Sequence, residues 1–223
     1  MPSKYTIRSF VTDGVYHIYN KGVEGREVFT NERDYKLFLY YLYIYLKPLK
    51  LVLETYPGLP FALRERNLNG RLELLCYALM PNHFHLLMRP RETNAVSIFM
   101  KQLANAYTQY FNSKYMRRGA LFQGRYKSVK IDTDNQLIHI SRYIHLNPYV
   151  AKLTQNPESY PWSSFPDYLD TDKESLCTRR LIQSFFSSTN KYKEFVMDHK
   201  EYALELGKIK QEAIDAIDLD SRG

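Results

Sequence analysis

Cysteine is nearly absent. The chain has two, Cys76 and Cys177, far apart in sequence. That scarcity excludes a disulfide framework and the paired-cysteine spacings of zinc modules. No apolar run approaches the length of a membrane span, and the N-terminus lacks a secretory-signal pattern. These absences predict a cytoplasmic protein in a reducing setting, without a membrane partner. There is no internal repeat and no low-complexity tract. There is also no helix-turn-helix pattern, which argues against a double-stranded-DNA transcription factor. Acid is missing from one long stretch. Residues 101–130 carry Lys101, Lys114, Arg117, Arg118, Arg125, Lys127 and Lys130, with no Asp or Glu.

What is present fits a globular protein. The 223 residues suffice for one domain, or one domain with an appendage, and 44% hydrophobic residues allow a sizeable core. Tyrosine is abundant, at 20 residues, and suits half-buried surfaces where the ring packs and the hydroxyl stays wet. The formal charge of +7 is unevenly spread. Residues 1–160 hold 22 basic and 12 acidic side chains, whereas residues 161–223 hold 9 and 12. The positive field therefore belongs to the first part of the chain. With the acid-free stretch, it points to a polyanionic partner.

The pattern predicts a strand from Val15 to Asn20, ended by Lys21-Gly22. Asn31 caps a helix to about Lys47, on which Leu37, Phe38, Tyr41, Leu42 and Tyr45 recur at helical spacing. Pro48 and Pro57–Pro60 break that pattern. Two strands follow, Leu72–Leu79 and His83–Arg89, close enough to pair as an antiparallel hairpin. A helix runs from Asn94 to about Lys114, and Tyr126–Ile131 forms a further strand. Asp132, Thr133 or Asp134 caps a helix through Leu146, with Asn147-Pro148 as its stop. This order predicts an α+β fold close to the ferredoxin-like split βαβ plan, an antiparallel sheet with helices on one face. Residues 1–170 read as that domain and residues 171–223 as a helical C-terminal extension.

One constellation carries chemistry. In a strand, residues i and i+2 project from one face, so His83 and His85 can reach one ion while Phe84 points the other way. Leu86 and Met88 imply cover on both faces nearby. On a helix, residues four apart share a face, so Tyr143 and Asn147 look the same way. If that face meets the histidines, the Asn147 amide completes a metal site beside the Tyr143 hydroxyl. A phenol titrates near about pH 10 and needs a cation or base to act as a nucleophile at neutral pH. Taken singly, each residue has a plain structural reading: a surface histidine pair, a packing tyrosine, a helix C-cap asparagine.

In combination, these motifs resemble a known family. Tyr77-Ala78-Leu79-Met80-Pro81-Asn82-His83-Phe84-His85-Leu86-Leu87 resembles the His-hydrophobic-His signature of the HUH endonuclease superfamily. Together with Arg142-Tyr143-Ile144-His145-Leu146-Asn147-Pro148, Tyr160-Pro161-Trp162-Ser163-Ser164 and Tyr16-His17-Ile18-Tyr19-Asn20-Lys21-Gly22, it is similar to the REP-associated tyrosine transposases. The resemblance spans roughly residues 10–170. It implies a metal-dependent single-stranded DNA endonuclease and strand transferase acting near DNA hairpins. Tyr143 would be the nucleophile, forming a 5′-phosphotyrosine intermediate. His83, His85 and Asn147 would hold Mg²⁺ or Mn²⁺. The implied partner is single-stranded or hairpin DNA, bound by a monomer or a homodimer.

Around this centre, Arg117, Arg118, Arg125 and Lys127 are expected at DNA phosphates. Tyr107, Tyr110 and Phe111 are expected in the core. His139 lies one turn before Tyr143, placed to act as a base or as a polar helix residue. His145 reads as structural, His17 as packing or as lying beside DNA, and Trp162 as an anchor. Two other functions fit the same residues: a catalytically silent hairpin-binding regulator, and a metal phosphoesterase that uses water.

Overall fold

The computed structural model describes residues 9–170, 172 and 174–198. In chain order the elements are β1 (Val15–Lys21), α1 (Glu32–Leu46), α2 (Leu49–Thr55), α3 (Phe61–Arg64), β2 (Leu72–Met80), β3 (His83–Pro90), α4 (Ala95–Lys114), β4 (Lys127–Ile131), α5 (Asp134–Val150), α6 (Phe165–Leu169), α7 (Arg180–Gln183) and α8 (Thr189–Met197). One-turn 3-10 helices occur at Val23–Gly25 and Pro157–Ser159. Asn31 and Thr133 both act as N-caps, their side chains accepting from the Asp34 and Gln136 backbone N–H groups. Gly22 closes β1 because a Cβ there would lie 2.0 Å from the Arg26 carbonyl oxygen.

The strands form one antiparallel sheet in the order β2-β3-β1-β4. Each βαβ connection leaves a gap that an antiparallel strand fills, the expected split βαβ plan. Connections of a single hand place α1 and α4 on the same face. There Phe38 is the hub, with ring centroids 5.2 Å from Phe29, 5.1 Å from Tyr107 and 5.3 Å from Phe84. All four rings are buried, and truncating one such ring to alanine costs about 3–5 kcal/mol.

The expectation of helices on one face holds for α1 and α4. Helix α5 covers the opposite face, where the Tyr143 ring meets His85. With cover on both sides, β2 is buried at eight of nine positions, so it shows a continuous apolar run rather than alternation. Its outer edge is closed by the segment after α5. Leu79 N–H donates to the Trp162 carbonyl at 2.8 Å, Ser164 N–H to the Tyr77 carbonyl at 3.0 Å, and the Tyr160 hydroxyl to the Leu79 carbonyl at 2.9 Å. The Tyr160-Pro161-Trp162-Ser163-Ser164 motif thus satisfies an otherwise bare sheet edge.

Helix α5 does not stop at Asn147-Pro148 but runs to Val150. Pro148 removes a single N–H bond to Ile144, and the chain regains contacts at once, from Ala151 N–H to the Asn147 carbonyl at 3.0 Å. Asn147 therefore sits inside the helix rather than at its C-cap. Beyond residue 170, Ile182, Tyr192 and Val196 are fully buried in the same core as the sheet. Residues 199–223, where further helices are expected, lie outside the described residues. Among the described residues, no helix is long and apolar enough to cross a membrane.

Candidate active site

The sheet lays out the site in two rows. Strand pairing sets Lys127 opposite Tyr19, Tyr19 opposite His85, and His85 opposite Ala78. The adjacent row runs from Lys21 to His83 to Met80. Directly opposed residues share a face, so His83, His85, Tyr19, Lys21 and Lys127 all belong to the α5 face. Phe84 points the other way, against Phe38 and Phe122 at 5.3 and 5.6 Å. The His83 and His85 rings stand perpendicular, with centroids 5.0 Å apart.

Each histidine is held by a neighbour. His83 Nδ1 lies 2.6 Å from Asn82 Oδ1, an acceptor that makes Nδ1 the protonated nitrogen. Burial, assisted by the Lys21 charge, pushes the His83 pKa down to about 4. His85 is buried, and its Nδ1 is 2.8 Å from His17 Nε2. Burial also pushes His17 down to about 4. His17 and His83 are thus neutral at physiological pH, and the neutral imidazole is the metal-binding form. Among the described residues no group of three His, Cys, Asp or Glu side chains converges on one point. A cation here depends on two imidazoles and amide or water oxygens, a donor set that fits Mg²⁺ or Mn²⁺ sharing imidazole and oxygen ligands.

Tyr143 completes the centre. Its ring stands edge-on to His85 and His17, with centroids at 5.6 and 6.1 Å. It keeps 41% of its surface exposed, so the hydroxyl-bearing ring is open to solvent. The residues beside it fix α5 in place. Buried His145 bonds Ser164 Oγ through Nε2 and the Tyr192 hydroxyl through Nδ1, both at 2.8 Å. Arg142 stacks on Phe195 of α8 at 4.4 Å. His139 faces that same cluster, pairing with Arg142 and lying 5.6 Å from Phe195. Asn147 is half-buried one turn beyond Tyr143, its amide nitrogen 3.5 Å from the Tyr143 carbonyl. Its place as a ligand rests on that helical spacing.

The basic segment divides. Lys127 stands on the histidine face, and Arg118, Arg125, Lys101 and Lys130 are exposed. Lys130 pairs with Asp132 at 2.7 Å. Lys101 and Arg125 line a cleft of about 690 Å³ on the opposite face, with Asn20, Phe84 and Tyr126 in its wall. Lys114 is only 23% exposed and pairs with buried Asp34 at 2.6 Å. Arg117 is turned inward to Asn112 and the Ala120 carbonyl. Tyr107 and Phe111 are buried as expected, Tyr110 is partly buried, and Trp162 stacks on Tyr35 at 4.6 Å.

Sequence reasoning left His17 as packing or as lying beside DNA and gave Tyr19 and Lys21 no part in the site, whereas strand pairing sets all three on the His85 face. His17 and Tyr19 alternate at spacing two, as His83 and His85 do, and that shared period was the available signal.

Residues 59–147 match the IS200-like transposase family. That span contains His83, His85, Tyr143 and Asn147. No curated relative matches the sequence. A solved structure of a REP-associated tyrosine transposase bound to a REP hairpin superposes with a TM-score of 0.50 at 13% identity. The match covers 77% of this chain and 88% of that one. At that identity the likeness establishes the fold, an α+β sheet-and-helix domain.

Proposed function

We propose that the chain cleaves and rejoins single-stranded DNA beside a hairpin, with Tyr143 as the nucleophile. One observation carries this reading: the exposed phenol stands against His85 and His17, on the face that also presents His83, Lys21 and Lys127. An otherwise ordinary tyrosine is thereby set against two imidazoles, on a sheet face that also carries two lysines. The family likeness to transposases supports the same reaction class. The hairpin held by the similar solved structure supports the choice of DNA form.

His83, His85 and Asn147 would hold Mg²⁺ or Mn²⁺. Such an ion supplies positive charge that polarises phosphate oxygens and eases ionisation of a nearby phenol. The protein does the rest. Asn82 holds His83 with Nε2 as its acceptor nitrogen. For His85 to present Nε2 likewise, its Nδ1–H donates to His17 Nε2. Lys21 and Lys127 bind the flanking phosphates. The Tyr143 oxygen bonds to phosphorus and the bond to the 3′-oxygen breaks. The phenolic proton passes to solvent, and the released 3′-oxygen takes one up. Attack by another 3′-hydroxyl on the 5′-phosphotyrosine reverses these steps and joins a new strand.

Covalent trapping tests this. Parent and Tyr143→Phe are mixed with labelled hairpin-bearing single-stranded DNA and Mn²⁺, then resolved on a denaturing gel. A protein-linked band in the parent alone is the expected result. Cleavage that survives Tyr143→Phe without a linked band would mean hydrolysis by water. Tight binding with no cleavage would mean a hairpin-binding regulator.

A further inference from the structure

Met116 breaks two rules at once. It is 94% exposed, although a large apolar side chain gains nothing from water. Its backbone is left-handed, with φ of +47°, a conformation that glycine adopts without penalty and methionine rarely visits. The position is the first residue past the C-cap of α4, Tyr115. Arg117 N–H donates back to the Asn112 carbonyl at 2.9 Å, the six-to-one bond of a helix stop that normally selects glycine. Local folding therefore favours glycine here, and solvent favours a polar residue. The sequence supplies neither.

The residues on both sides are pinned. The Tyr115 hydroxyl bonds Asn31 and Asp34 at 2.8 Å each and makes a close contact with Thr30. The Arg117 guanidinium is held by Asn112 and by the Ala120 carbonyl at 3.0 Å. Met116 is thus the apex of a braced turn. The same loop then returns to the sheet, where Val23 N–H donates to the Leu121 carbonyl at 3.0 Å and Gln123 N–H to the Lys21 carbonyl at 2.8 Å. That is the end of β1 beside His83. Exposed Arg118 follows directly, and no acidic residue occurs between positions 101 and 130.

We propose that Met116 is an apolar wedge that packs on the open face of a base at the foot of a DNA hairpin, where paired stem becomes single strand. The charge around it selects nucleic acid. Base faces are covered inside a duplex, so a fixed apolar knob finds one at such a junction, the place where unstacking costs least. This rests on the reading of the site as a hairpin-directed nuclease, and it adds a contact outside the catalytic residues.

The test compares parent, Met116→Gly and Met116→Leu in fluorescence-anisotropy titrations. The DNAs are a hairpin with a single-stranded flank and an unstructured strand of the same length. Glycine suits the left-handed turn, so Met116→Gly is expected to melt at or above the parent temperature. Its affinity for the hairpin is expected to fall about tenfold, the equivalent of losing one buried apolar side chain. Affinity for the unstructured strand should stay within about twofold, and Met116→Leu should bind the hairpin within about twofold of the parent. Equal hairpin affinity for parent and Met116→Gly would overturn the wedge, and so would an equal loss on both DNAs. A parent that binds no hairpin would overturn the hairpin-directed reading itself, a failure visible before any variant is made.

Discussion

His17 Nε2 lies 2.8 Å from His85 Nδ1, across neighbouring strands of the sheet. The contact joins a residue on β1 to the buried member of the His83–His85 pair and sets which His85 nitrogen can face outward. Replacing His17 with phenylalanine keeps a ring against Tyr19 and Tyr143 and removes the nitrogen. Mn²⁺ affinity, measured by isothermal titration, is expected to fall about 10–100-fold, as for other partners of ligating histidines. Far-ultraviolet circular dichroism should stay at the parent level. Unchanged Mn²⁺ affinity would show that His17 only packs.

The hold of α8 on α5 is separable from the chemistry. The Tyr192 hydroxyl bonds Ser141 Oγ at 3.1 Å and His145 Nδ1 at 2.8 Å, all three groups being buried. Tyr192→Phe keeps the ring and leaves those partners without it. Urea unfolding should show a loss of about 1–3 kcal/mol, the cost of buried polar groups deprived of a bond. A stability within about 0.5 kcal/mol of the parent would mean that the pair contributes little.

Much of this centre was legible from residue order. Period two placed His83 and His85 on one face, and period 3.6 placed Tyr143 and Asn147 together. Helix α5 brings the Tyr143 ring within 5.6 Å of the His85 ring. The role of His17 was not legible, because it depends on β1 pairing with β3 across 68 residues, and register between distant strands leaves no local trace. Cover on both sheet faces was hinted at by the apolar run after His85. That α5 supplies the second cover was not, since an amphipathic pattern does not say which surface it meets. Pro148 misled the reading of the helix end because a proline near a C-terminus removes one bond and leaves the last turn intact.

The basic segment is expected to act through its exposed members. Arg118, Arg125 and Lys127 are exposed, whereas Lys114 and Arg117 are committed to protein partners. Each phosphate contact on single-stranded DNA contributes about −0.7 to the slope of log K against log salt. The double variant Arg118→Ala with Arg125→Ala should therefore flatten that slope by about 1.4. Arg117→Ala should leave the slope unchanged and lower the melting temperature. The reverse pattern would relocate the DNA track.

Asp34 supplies the acid limb of stability. Its carboxylate is buried, and burial alone would raise its pKa. Hydrogen bonds from Lys114, the Thr30 backbone and hydroxyl, and the Tyr115 hydroxyl outweigh that and hold it near about 2. The Tyr110 hydroxyl also donates to it, at 2.9 Å. The folded value lies below the ordinary 3.8, so the unfolded chain takes up a proton first on acidification. The stabilisation is then present above about pH 4 and disappears as pH falls toward about 2, amounting to about 2 kcal/mol in full. Asp34→Asn removes it at every pH and leaves the Lys114 ammonium against an amide. Urea midpoints taken from pH 7 to pH 2 should show the variant well below the parent at neutral pH, with the two curves converging below about pH 4. Curves that stay parallel into acid would mean that the Asp34 charge, and with it the tie between the start of α1 and the end of α4, adds nothing to the fold.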